Sequence, residues 1–270
     1  MQVRQASAAR PHAPNEDFVL SSPAVVVVLD GAGMAPGMES GCKHGVTWYV
    51  KHLGARFHAE ATRQELPLAD CLAAAIKSTA DAHRDTCAID DPLSPSATVA
   101  AARVRGDLFD WLVLGDCTVL MEKGGVVTAV TDDRLAQVAL RARGALSATV
   151  PESEERKKAH QALVREERGL RNTPGGYWVA AADPIAARQA LTGVERAGNV
   201  QRAALLTDGA ARLVTTFHET DWQGLLDLLT RSSPGHAIRE VRKAEQSDPT
   251  LSRWPRSKQH DDATIAYIHP

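Results

Sequence analysis

The sequence predicts an α+β fold in which antiparallel strands, rather than βαβ units, carry the helices. Three observations lead there. A β-branched run, Val25-Val26-Val27-Val28-Leu29, stops at Asp30-Gly31, the pattern of a buried strand entering a turn. Apolar residues then recur at three- and four-residue spacing, which is the period of a helix buried along one face. After these come four short apolar stretches in succession, separated only by turn residues.

Taken in order, Val46, Tyr49, Val50, Leu53 and Phe57 mark a helix over 45–61, and Leu72, Ala75, Ile76 and Thr79 a second over 68–88. The stretches 98–104, 108–114, 117–122 and 126–130 read as a strand meander forming one antiparallel sheet. They are broken by Arg105-Gly106-Asp107, Gly115-Asp116 and Lys123-Gly124-Gly125. Residues 151–172 are densely charged and are expected to form an exposed, flap-like helical excursion whose face is mainly solvated. Tyr177–Ala181 and Arg202–Thr207 read as strands, and the second ends at Asp208-Gly209 as the first ended at Asp30-Gly31. Asp221 is placed to cap a helix over 221–232, a further helix covers 237–246, and 263–268 alternates as a strand after Asp261-Asp262.

No Gly/Ser- or Pro-rich linker divides the 270 residues, so the chain is expected to be one domain over 1–270, large enough to bury a core without staples. Its 31 Lys plus Arg against 33 Asp plus Glu leave a net charge of −2, which excludes a broadly basic binder of nucleic acid or anionic membrane. The longest apolar run, Ala24–Leu29, is far too short to span a bilayer, and the first 18 residues lack the apolar core of a signal peptide. A cytoplasmic location is the expectation. Cys42, Cys71, Cys87 and Cys117 show no C-x-x-C pair and no histidine at zinc-finger spacing, and are expected to be isolated thiols. Twenty-three arginines against eight lysines, with abundant alanine, suit a GC-rich bacterial genome.

The acids carry the chemistry. Asp17, Asp30, Asp116, Asp208 and Asp261 each sit beside the end of an expected strand. Strand ends are held in place by the sheet, so such acids can converge on one rim, where they repel one another unless a cation neutralises them. Oxygen donors without Cys or His at ligand spacing select hard ions such as Mg²⁺ or Mn²⁺. Taken singly, Asp-Gly after a strand is an ordinary turn. The chain carries no G-x-x-x-x-G-K-[ST] loop, no H-E-x-x-H and no G-x-S-x-G.

Six blocks together resemble a family: Asn15-Glu16-Asp17, Leu29-Asp30-Gly31-Ala32-Gly33, Ser96-Ala97-Thr98, Leu114-Gly115-Asp116, Leu206-Thr207-Asp208-Gly209 and Asp261-Asp262-Ala263-Thr264. In this order they look like the signatures of the metal-dependent serine/threonine phosphatases of the protein phosphatase 2C (PPM) family, bacterial type. The resemblance implies a four-layer α-β-β-α sandwich and hydrolysis of phosphoserine and phosphothreonine by a hydroxide bridging two Mn²⁺ or Mg²⁺ ions. It implies that Asp30 bridges the ions, that Glu16 and the Gly31 carbonyl complete one, and that Asp208 and Asp261 hold the other. Asp17 would orient water, and Asp116 would face a third metal position. A phosphorylated protein is the implied substrate, and a serine/threonine kinase the implied counterpart.

The departures are specific. The arginine expected four residues before Glu16 to bind substrate phosphate is His12, and Arg10, two residues earlier, is the other candidate. Asp262 stands where asparagine is usual. Arg212 stands where many members have an aspartate four residues after Asp208, which disfavours a third ion and leaves that cation to engage a phosphate or Asp116. These changes keep two alternatives open: a pseudophosphatase acting as a binding module, and a phosphatase of small metabolites with the same centre. His260, before Asp261, is a candidate proton donor or a plain loop histidine. Trp178 and Trp222 are expected in the core.

Overall fold

Val25, Val27 and Leu29 face one way and Val26 and Val28 the other, and all five are fully buried. A strand covered on both faces needs no polar alternation, which is why this segment reads as a continuous apolar run. The computed structural model describes residues 1–35 and 37–270. Among these, ten strands form two antiparallel sheets. One has the order β1 (Gln2–Ala8), β10 (Ala263–His269), β9 (Val200–Leu206), β6 (Thr118–Lys123), β7 (Val126–Thr131). The other runs β2 (Asp17–Ser21), β3 (Val25–Ala32), β4 (Ser96–Arg105), β5 (Leu108–Leu114), β8 (Leu191–Arg196).

The sheets meet face to face through Val26, Val28, Ala100 and Ala102 on one side and Leu205, Ala266 and Ile268 on the other. The outer face of the β2–β8 sheet is covered by α1 (Gly45–Thr62) and α2 (Leu68–Asp81), through Tyr49, Leu53, Phe57, Leu72 and Ile76. Short helices α3 (Arg134–Gln137) and α4 (Leu140–Ser147) lead to α5 (Glu154–Leu170), which Ser153 caps by accepting from the Arg156 amide. The other sheet is covered by α6 (Asp208–Thr215), α7 (Trp222–Arg231) and α8 (Pro234–Ser247), through Leu213, Leu225, Leu229 and Val241 against Leu206, Ile265 and Tyr267. The result is the expected α-β-β-α sandwich. Asp221 caps α7 as its position predicted, accepting from the Gly224 amide at 2.7 Å.

Several expectations are corrected. The meander is two hairpins in different sheets: β4 pairs with β5, β6 pairs with β7, and Gly115-Asp116-Cys117 carries the chain across the gap. Both hairpins are buried, so periodicity does not separate them. Tyr177–Ala181 makes single bridges, Arg171 to Tyr177 and Ala97 to Ala180, and is not a strand. The second helix ends at Asp81, and 82–88 turn back toward the start of α1. β1 and β8 are additional edge strands whose polar or exposed positions hide the strand pattern. Trp178 and Trp222 are partly buried against the cores of the two outer interfaces.

Candidate active site

The two sheets end together at one rim. Asp17 opens β2 and Asp30 lies near the end of β3, directly opposite it in register, with Thr98 of β4 on the other side of Asp30. From the second sheet, β9 ends at Leu206 and passes through Thr207 into Asp208, the first residue of α6, while Asp261-Asp262 lead into β10. Asp116 occupies the crossing between the sheets. Thr207 ties the rim together: its amide donates to the Thr264 carbonyl at 3.1 Å, and its hydroxyl accepts from the Thr264 amide at 2.9 Å and donates to Asp17 Oδ2 at 2.9 Å.

Two glycines permit this closeness. The Gly31 amide donates to the Glu16 carbonyl at 3.0 Å, and a Cβ on Gly31 would lie 2.5 Å from that oxygen and from Val46 Cγ1. A Cβ on Gly209 would collide with the Asp262 carbonyl. Any side chain there would force α6 away from the 261–262 turn.

Burial, with the facing carboxyls of Asp17, Asp208 and Asp261, pushes Asp30 well above the usual carboxylate range. Asp17 is raised likewise, by burial against the bonds from Thr264 and Thr207, and its buried Oδ1 has no hydrogen-bond partner among the described residues. Burial and Asp208 push Asp116 up to about 7. These groups make an all-oxygen cluster with unmet negative charge and an orphaned buried acceptor. That chemistry fits hard divalent cations.

Elsewhere on the rim the acids already have cations. Asp262 Oδ2 accepts from Arg10 Nη1 at 3.0 Å and from the Glu16 amide at 3.0 Å, and the same Nη1 donates to Glu16 Oε2 at 3.1 Å. The unusual Asp262 and the displaced Arg10 are thus partners. Asp261 takes Lys258 Nζ on Oδ1 at 2.9 Å and Arg212 Nη2 on Oδ2 at 2.6 Å. Burial opposes ionisation of Asp261, but Lys258 and Arg212 outweigh it and hold its carboxyl below the usual range. Arg212 does not reach for Asp116; its other bond, at 3.0 Å, goes to the buried Glu245.

A cavity of about 520 Å³ opens over this rim, lined by Arg10, Glu16, Asp30, Asp116, Asp208 and Asp261 among others. Asp17 lies beneath it, and His12 is exposed, with φ 60°, away from its wall. His260 lines the cavity, yet its Nδ1 lies 2.8 Å from Glu245 Oε2. Sequence reading missed Lys258, Glu245 and Arg168, none of which stands in a motif. The Thr207 hydroxyl stood inside a quoted block without an assigned role.

The charged excursion is not merely a solvated face. His160, Leu163, Val164, Glu167 and Arg168 of α5 roof the cavity. Arg168, 6 % exposed, donates to Ser96 Oγ at 2.5 Å and to the Ala32 carbonyl at 2.7 Å. Arg156 reaches the carbonyls of Arg256 and Ser257 at 2.8 and 3.1 Å. The helix therefore bridges the loop after β3 and the loop before β10.

This sandwich with an acidic rim defines a class, and the comparisons agree. The family model for protein phosphatase 2C matches residues 4–244. The catalytic domain of the serine/threonine protein phosphatase PstP, solved in complex with two manganese ions, superposes with a TM-score of 0.57 at 16 % identity, covering 98 % of this chain and 96 % of that one. Stp1 from Staphylococcus aureus gives 0.58 at 12 %, covering 100 % and 94 %, and MsPP from Mycobacterium smegmatis, bound to cacodylate, gives 0.53 at 18 %, covering 100 % and 98 %. Comparison with curated protein sequences returned no significant match. The chain belongs to the protein phosphatase 2C family and is a metal-dependent protein serine/threonine phosphatase. No helix among the described residues is long and apolar enough to cross a membrane.

Proposed function

We propose that Glu16, Asp30, the Gly31 carbonyl, Asp208 and Asp261 hold two divalent cations, Mn²⁺ or Mg²⁺, with Asp30 shared between them. Bound there, the ions supply a nucleophile drawn from water at neutral pH and offset charge on the phosphoryl oxygens. The observation that carries the reading is the convergence of carboxyls from both sheets on one rim, with Asp17 Oδ1 buried and unpartnered among the described residues. Asp17 keeps that acceptor to orient water. Arg10 binds the substrate phosphate: it lines the cavity, and among the described residues its amide and Nη1 are the groups engaged, leaving Nε and Nη2 to donate. Lys258, with 44 % of its side chain exposed, can leave Asp261 Oδ1 to a cation, whereas the buried Arg212 stays on Oδ2. Asp116 faces a weaker third position, because Arg212 stands where a further ligand would be needed. The substrate is a phosphorylated protein supplied by a serine/threonine kinase, and four cysteines outside any disulfide among the described residues support a cytoplasmic location.

The test is hydrolysis of a phosphothreonine peptide and of a phenyl phosphate, with and without Mn²⁺, by the wild type and by Asp30→Asn. Metal-stimulated turnover that drops on the order of 100-fold or more in the variant is expected, since even residues that only support metal ligands cost 10–100-fold. Equal rates with and without metal, or a fully active variant, would sink the assignment.

A further inference from the structure

Away from the cavity, four residues expected to be unrelated come together. Cys42 and His44 lie in the turn that feeds α1, and His83 and Cys87 in the loop that leaves α2. Their donor atoms all lie within 4.8 Å of one another, and this is the one such His/Cys/Asp/Glu group found among the described residues. Cys42 Sγ is 3.3 Å from Cys87 Sγ, 3.8 Å from His44 Nδ1 and 3.8 Å from His83 Nδ1, and Cys87 Sγ is 3.2 Å from His44 Nδ1. An ion bonded tetrahedrally to sulfur at about 2.3 Å and nitrogen at about 2.0 Å sets sulfur and sulfur about 3.8 Å apart, sulfur and nitrogen about 3.5 Å and nitrogen and nitrogen about 3.3 Å, so the two sulfurs here part by about 0.5 Å to take it. We propose that Cys42, His44, His83 and Cys87 form a structural zinc site that clasps the open end of the α1–α2 hairpin.

The surroundings suit that ion. The amides of His44 and Gly45 turn toward Cys42 Sγ, and those of Lys43 and His44 toward Cys87 Sγ, so backbone N–H donors wrap both sulfurs. Gly45, at φ +75°, permits the curl. Trp48 stacks on His44 with ring centroids 4.5 Å apart and on His83 at 5.0 Å, fixing both imidazole planes. The Ala88 amide donates to the Gly41 carbonyl at 2.8 Å, joining the two ligand-bearing segments independently of the side chains.

The donor set selects the metal. Two thiolates with two imidazoles in a tetrahedron suit Zn²⁺ and not the hard ions of the acidic rim. Four protein ligands leave no open position, so the role is structural. A Cys42–Cys87 disulfide would use the sulfurs alone and explain neither converging imidazole. The clasp begins a few residues along the chain from Gly33, Met34 and Ala35 of the cavity wall, and the site is independent of the ligand assignment above.

The experiment is elemental analysis of the full chain purified without added zinc and washed with a mild chelator, followed by replacement with Co²⁺. About one zinc per chain is expected, with an intense tetrahedral cobalt spectrum containing sulfur-to-metal charge transfer. Cys42→Ser/Cys87→Ser should lose both signals, while Asp30→Asn/Asp208→Asn keeps them, which separates this ion from those of the catalytic rim. Wild-type protein with four titratable thiols, no zinc and no tetrahedral cobalt spectrum would overturn the proposal, as would a Cys42–Cys87 disulfide in non-reducing mass spectrometry. The wild-type readings decide the matter even if the double-serine variant does not fold.

Discussion

Arg212 shows how one substitution can be absorbed by its neighbours. It stands where the family resemblance expects an acid, yet Glu245, wholly buried, receives Arg212 Nη1 at 3.0 Å, Arg242 Nη1 at 2.7 Å and the Asp261 amide at 3.2 Å. A buried carboxylate costs several kcal/mol unless paired, and removing one partner of such a network leaves that cost uncompensated. Arg212→Ala should therefore destabilise the protein by about 3 kcal/mol, visible in chemical denaturation and as a fall in melting temperature of roughly 6–12 °C. A loss under about 1 kcal/mol would mean that the network behaves as an exposed pair. The same logic joins Arg10 to Asp262: two departures that look independent along the chain meet as one ion pair at 3.0 Å.

At the scale of elements, α5 decides how open the cavity is. Its composition reads as a solvated helix, because 10 of the 17 residues from Glu154 to Leu170 are Glu, Lys, Arg or His. What the composition conceals is which arginine turns inward. Arg168 is held by Ser96 and by the carbonyl of Ala32, at the end of the strand that bears Asp30. Arg168→Ala strips these acceptors of their donor and should cost about 2 kcal/mol. Amide hydrogen exchange should then accelerate selectively over 154–170 and 32–35, with the strands unchanged. Uniform acceleration across the molecule would indicate general destabilisation and not an unlatched roof. The hairpin α1–α2 illustrates the converse case, since its apolar spacing was plain, but the meeting of Cys42 and His44 with His83 and Cys87 was not. Those pairs are separated by 38 residues, and only the antiparallel return of α2 along α1 closes the distance.

At the scale of the molecule, the loop before β10 must be held rigid for both halves of the rim to meet. Asp248 does this from the C-terminal end of α8: Oδ1 accepts the amides of Ser252 and Arg253 at 3.0 and 3.2 Å, and Oδ2 accepts the Trp254 amide at 3.1 Å and Arg256 Nη1 at 2.7 Å. Burial opposes its charge, yet the Arg256 pair and these amides hold its pKa below the ordinary 3.8. The folded state thus binds this proton less readily than the unfolded chain. Its contribution to stability is complete above pH 3.8 and is lost as pH falls through the lower, folded value. Asp248→Asn should cost about 3 kcal/mol at pH 7, and the gap between wild type and variant should narrow below pH 3.8. A gap that is constant from pH 7 to pH 3 would show that shape, and not charge, is what Asp248 supplies.

Much of the architecture was legible along the chain because its cause is local. The strands over 25–29 and 202–206, the first helix and the Asp221 cap follow from side-chain period and capping chemistry, which act over a few residues, although β3 runs on through Asp30-Gly31 to Ala32 where a turn was expected. The split of the expected meander was not legible, because β4–β5 and β6–β7 are both buried hairpins and their apolar runs look alike whichever sheet receives them. The same holds for Tyr177–Ala181, whose apolar residues are extended but find only single bridges. What the sequence determined by itself is the set of elements and the order of the acidic blocks, and hence the family. Only the tertiary structure decided which charges face one another: Arg10 with Asp262, Arg212 with Glu245, Arg168 with Ser96, and cysteine with histidine at the helical clasp. Such pairings depend on distances across the fold, which sheet packing sets and sequence spacing does not record.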